Sequence, residues 1–250
     1  MIRTLNAFIL PLIYVGAQLL WYTLFRALEP VVTTDTAIRT QRKRRAWVLT
    51  IPISFFFGFI AGPYFGYRLI AAMLEGAPVV ASFLNQTSTF AIHSVTFMMS
   101  FLALDIIVGV LEYREFLGMD TAWIHHTAYF LLYGYLFLTR RTHYVLIGAC
   151  CEIPTFIMAL GVLVPRLRQD LAFGVTFFFT RIVWFLVLAI VYLIPSYNTR
   201  LHLVEWIIPT VSSTSLHIWW FSKWYGGLGK ASKRAKKEVE GEKVEGKKVE

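Results

Sequence analysis

Charge and cysteine are both scarce in this chain of 250 residues. Charged side chains make up 16% of it and hydrophobic ones 57%, with a mean hydropathy of +0.59; an ordinary soluble domain carries roughly 25% charge. So little ionic surface excludes a soluble globule and leaves an integral membrane protein. The two cysteines, Cys150 and Cys151, are neighbours in an apolar run. Adjacent side chains point about 100° apart on a helix, so no disulfide framework follows. Zinc-type spacing of Cys and His, a glycine-rich phosphate loop and a nucleophile elbow are also missing, and no bound metal or prosthetic group is expected. No internal repeat suggests a transporter.

What is present is apolar sequence in membrane-length pieces. Crossing the hydrocarbon takes about 20 residues, and seven stretches qualify: Asn6 to Leu28, Trp47 to Leu74, Ala91 to Leu111, Ala122 to Leu138, Tyr144 to Val164, Leu171 to Ile194 and Leu203 to Trp224. The fourth is short, and the seventh carries Glu205, Pro209 and His217. The expected fold is an all-α polytopic membrane bundle of six or seven transmembrane helices. Three regions are expected: residues 1–46, a first transmembrane helix and a basic loop; 47–225, the main membrane domain; and 226–250, a Lys/Glu-rich tail with too little apolar character to fold alone. Prolines 11, 52, 154 and 209 fall within these runs and predict kinks whose freed carbonyls are satisfied by neighbouring helices or waters. The first span does not read as a cleavable signal peptide.

The net charge of +9 does not point to nucleic acid, because the basic residues gather at Arg39 to Arg45 and after Lys223, as on the cytosolic side of a membrane. Seven crossings then give a lumenal N-terminus and a cytosolic C-terminus. The sequon Asn85-Gln86-Thr87 falls in a loop that this topology makes lumenal, a candidate glycosylation site. The chain ends Lys247-Lys248-Val249-Glu250. The two lysines resemble a cytosolic dilysine signal, read by a vesicle coat, that retrieves proteins to the endoplasmic reticulum. Arg140-Arg141, lumenal in this scheme, dissents.

Ionisable residues inside spans are costly and mark interior or wet surfaces. His125 and His126 lie just inside the fourth span. At 1.5 Å per residue they sit roughly 5 Å below its start, with Asp105 roughly 10 Å below the end of the third. One such histidine reads as interfacial snorkelling. Two in succession, with Asp105 at compatible depth and Tyr129 and Tyr133 on one helical face, read as a polar-lined cavity in which imidazole acts as base or nucleophile and the aspartate fixes its tautomer. Glu152 and Arg181 form a second pair with two readings, an ion pair joining two helices or an arginine that holds a lipid phosphate or carboxylate with Glu152 orienting it. His93 and His143 read as interfacial anchors, and Trp219, Trp220, Trp224 and Tyr225 as an aromatic belt.

From Trp47 to about Tyr225 the sequence resembles the TLC domain family, named for the TRAM, Lag1 and CLN8 proteins. Ser100-Phe101-Leu102-Ala103-Leu104-Asp105 is similar to the stretch preceding the family's paired histidines, which match His125-His126. Glu152-Ile153-Pro154-Thr155-Phe156 and Phe177-Phe178-Phe179-Thr180-Arg181 follow in the family's order. The resemblance implies a bundle in the endoplasmic-reticulum membrane around a lipid-accessible cavity. It also implies lipid metabolism or homeostasis and, by analogy with ceramide synthases, acylation of a lipid acceptor by fatty acyl-CoA as co-substrate. His125 would then be the leading acyl-accepting or base residue, His126 its partner and Asp105 the orienting acid. The ceramide synthases' second acidic cluster is reduced here to Glu152, which places the chain nearer the TLC-domain-containing and CLN8-like branches. A non-enzymatic lipid-binding or trafficking role is the alternative.

Overall fold

The computed structural model describes residues 2–193 and 210–227. Its elements are α1 (Ile2–Ala27), α2 (Asp35–Glu75), the short α3 (Ala77–Leu84), α4 (Thr89–Glu112) and α5 (Ile124–Leu138), which continues a π-helical turn, Met119–Trp123. There follow α6 (Thr142–Leu163), α7 (Asp170–Tyr192) and α8 (residues 210–227). No strand occurs among the described residues. α1, α2, α4, α6 and α7 are each long and apolar enough to cross a membrane, and α5 and α8 pack among them. The protein is an all-α polytopic membrane bundle. Large apolar side chains such as Leu12, Tyr67, Leu131 and Ile190 stay exposed around it, as a hydrocarbon solvent allows and water does not. The first part of the expected seventh span, including Glu205 and Pro209, lies outside the described residues.

Local chemistry sets the helix ends. Thr34 caps α2 by accepting from the Ala37 N–H, and Ser88 caps α4 by accepting from Ala91. Between α2 and α3 stands Gly76 at φ +112°, a backbone conformation that a Cβ disfavours. The basic segment expected as a loop is instead helical: α2 runs for 41 residues, about 60 Å, twice the hydrocarbon thickness. Its first turns therefore project beyond the apolar layer, where Arg39 to Arg45 can stay hydrated. Ion pairs tie this basic end together, Arg45 to Glu29 at 2.7 Å and to Glu112 at 3.2 Å, Arg26 to Glu112 at 2.5 Å and Arg42 to Glu115 at 3.4 Å.

α6 is not one helix. It breaks at the 3₁₀ turn Ala149–Cys151 and resumes at Glu152, so Pro154 lies in a first turn, where its missing N–H is harmless. In the break the Gly148 N–H turns to Val145 O and the Cys151 N–H to Gly148 O, which releases the carbonyls of Tyr144 and Ile147 from their helical donors. α7 supplies replacements: Tyr192 Oη donates to Tyr144 O at 3.3 Å, Trp184 Nε1 to Ile147 O at 2.7 Å, and Arg181 Nε to Cys151 O at 2.8 Å. The freed carbonyl before Pro52 is treated alike, Trp21 Nε1 donating to Val48 O at 2.8 Å. Irregular backbone at membrane depth is tolerated only when satisfied in this way.

Candidate functional site

One cavity of about 620 Å³ opens between α2, α4, α5, α6, α7 and α8, and every intramembrane site residue expected from sequence lines it: Asp105, His125, His126, Tyr129, Tyr133, Glu152 and Arg181. Lys43, Arg168 and Asp170 also line it, so its mouth lies at the basic end of the bundle. α5 is the next neighbour of α4 along the chain and in space, and this brings His126 Nδ1 to 3.2 Å from Asp105 Oδ2. The ring N–H is not aligned for a formed hydrogen bond, so the pair is a close polar contact. Asp105 is 5% exposed, and its other oxygen accepts from Tyr113 Oη at 2.8 Å. Tyr113 lies just beyond α4 in a nearly solvent-free position; burial, with the Asp105 carboxylate beside it, pushes its phenol well above the usual range. It therefore stays a donor.

The acid thus faces His126, whereas the TLC resemblance implies the leading role for His125. His125 packs its ring on Tyr129 at 4.5 Å between centroids and on Trp220 at 5.5 Å. Its Nδ1 is buried with no hydrogen-bond partner among the described residues. Tyr129 Oη reaches Ser213 Oγ of α8 at 2.7 Å, and the Tyr133 ring lies beyond it, 5% exposed.

Of the two readings of Glu152 and Arg181, the ion pair is not formed: the guanidinium and the carboxylate turn to different partners. The break in α6 is the reason, because it offers Arg181 the Cys151 carbonyl and the Thr155 hydroxyl, the latter at 2.6 Å. The guanidinium also lies over Phe177 at 5.0 Å and Trp220 at 5.8 Å. Arg181 is only 8% exposed and sits on a π-helical turn, Phe178–Val183. The carbonyl of Arg181 meets His217 Nδ1 at 3.1 Å. Among the described residues Glu152 accepts only a long contact, 3.7 Å, from the Cys151 thiol.

Several lining residues carried no site signal in the sequence. Tyr113 lies past the end of its span. Trp220 and Trp224 read as an aromatic belt, yet both turn into the cavity, and only Trp219 and Tyr225 remain exposed as such a belt requires. Their spacing of four residues, one helical face, was the available clue. His143 is no interfacial anchor either: it is buried, with Nδ1 on Phe83 O at 3.2 Å and Nε2 on Ser88 Oγ at 3.0 Å. His93 is exposed beside Tyr14. Asn85 is exposed at the end opposite the cavity mouth; Lys247 and Lys248 lie outside the described residues. Among the described residues no three His, Cys, Asp or Glu side chains gather to hold a metal ion. Comparison with family models, with curated proteins and with solved structures finds no match, so the TLC resemblance rests on the motifs alone.

Proposed function

We propose that this protein is a lipid acyltransferase of the endoplasmic-reticulum membrane. The observation that carries the reading is the line Tyr113, Asp105, His126, next to His125 on the wall of one largely apolar cavity. With Nδ1 of His126 turned to Asp105, Nε2 is the nitrogen left to the cavity, where it can act as a general base. An amine or hydroxyl on a lipid acceptor gives its proton to Nε2 and attacks the thioester carbonyl of an acyl-CoA. The new C–N or C–O bond forms, the C–S bond breaks, and the imidazolium returns the proton to the departing thiolate. Both reactants have apolar tails, and a cavity between helices aligns their reacting ends. Its volume falls within the 300–1,000 Å³ range of small-molecule sites.

The basic end supports a cytosolic mouth under the positive-inside rule, which suits a donor supplied from the cytosol; on that reading Asn85 faces the lumen. Motif order along the chain supports the kinship with the TLC family. Purified full-length protein given acyl-CoA and a panel of sphingoid and lysolipid acceptors should release free CoA thiol. His126→Ala should lower the rate by about 10²- to 10⁴-fold with the melting temperature unchanged. Full turnover in that variant removes the catalytic role, and lipid that co-purifies with no product under any acceptor favours a binding protein instead.

A further inference from the structure

Two opposite charges face the same cavity, each without a partner of the other sign among the described residues. Arg181 has five N–H donors, and two of its hydrogen bonds go to Cys151 O and Thr155 Oγ1. The rest of a guanidinium that is 8% exposed borders the hollow. Glu152, one residue from the Cys151 carbonyl that Arg181 grips, holds only the long thiol contact. At the mouth, by contrast, Arg168 and Asp170 neutralise each other at 2.9 Å. A bare charge in a low-dielectric interior is costly, and the cost falls when a ligand brings the counter-charge.

From this pairing we propose that Arg181 and Glu152 together receive the headgroup of a zwitterionic lysophospholipid, its phosphate on Arg181 and its ammonium on Glu152. This rests on the acyltransferase reading and narrows it. The acceptor is a glycerol hydroxyl, whose proton passes to His126 Nε2 as the C–O bond forms, the thioester C–S bond breaks and the thiolate is then protonated. Trp220 lies within 5.8 Å of Arg181 and 5.5 Å of His125 between ring centroids, so a headgroup seated there brings its glycerol next to the histidine pair. A sphingoid base carries an ammonium and no anion and would leave Arg181 uncompensated. A lysophosphatidic acid would satisfy Arg181 and confront Glu152 with like charge.

The test is displacement of a fluorescent lysophosphatidylcholine from the purified full-length protein without acyl donor, so that absent turnover leaves the result standing. Lysophosphatidylethanolamine should displace the probe about tenfold better than lysophosphatidic acid or sphingosine. Glu152→Gln should erase the advantage over lysophosphatidic acid, and Arg181→Gln should weaken every phosphate-bearing ligand. Should Arg181→Gln fail to fold, Glu152→Gln decides alone, since its side chain holds only the thiol contact. Failure of the probe to bind, sphingosine displacing it equally well, or an unchanged ranking in Glu152→Gln overturns the proposal. Water-soluble phosphoethanolamine binding as tightly as the lipid overturns the assignment to a lipid.

Discussion

Asp105 serves two groups at once, accepting from the Tyr113 phenol and standing against the His126 ring. A carboxylate this deep is tolerable only with such partners, and in the proposed mechanism the contact with Nδ1 leaves Nε2 of His126 to the substrate. Asp105→Asn should therefore lower thiol release at least about a hundredfold, because an amide can present an N–H to the ring and hold the wrong tautomer. Tyr113→Phe removes one buried donor; it should cost about 1 kcal/mol of stability and slow turnover by roughly fivefold, read from a melting curve and the same assay. Depth along two spans was enough to bring the acid and the histidines together from sequence. Which histidine the acid meets was not, because the π turn Met119–Trp123 shifts the phase of α5 just before the pair, and neighbouring positions differ by about 100°.

At the level of elements, the broken α6 organises the site. Its released carbonyls are held by Trp184, Tyr192 and Arg181 of α7, so two helices are joined by backbone-to-side-chain bonds. Trp184→Phe leaves the Ile147 carbonyl unsatisfied and should destabilise the protein by about 1–3 kcal/mol, measured by unfolding in mixed micelles. At Gly174 an added Cβ would overlap the Trp224 ring, so Gly174→Ala should push α8 away from α7 and cost about 1–3 kcal/mol. The prolines announced irregular helices, and the expectation that neighbours would satisfy the freed carbonyls holds at Val48. Pro154 marked an irregularity in α6, but not that the helix would break outright at Ala149–Cys151, which depends on donors contributed by α7 and leaves Arg181 bonded to Cys151 O and Thr155 Oγ1.

For the molecule as a whole, the proposed orientation has the basic end cytosolic. Asn85 should then carry a glycan, seen as a glycosidase-sensitive mobility shift that Asn85→Gln abolishes. Lys247→Ser with Lys248→Ser should release the protein to later secretory compartments, and unchanged retention would remove the dilysine argument. Composition alone made the membrane bundle legible, whereas this cavity emerged only from how six helices close around their few polar side chains. The proposed chemistry requires Asp105 and His126 to act as one unit. The most direct measurement is a double-mutant cycle on single-turnover CoA release with His126→Ala, Asp105→Asn and both together. The account predicts that the double variant is no slower than His126→Ala alone; losses that simply multiply, or release that survives in all three, would contradict it.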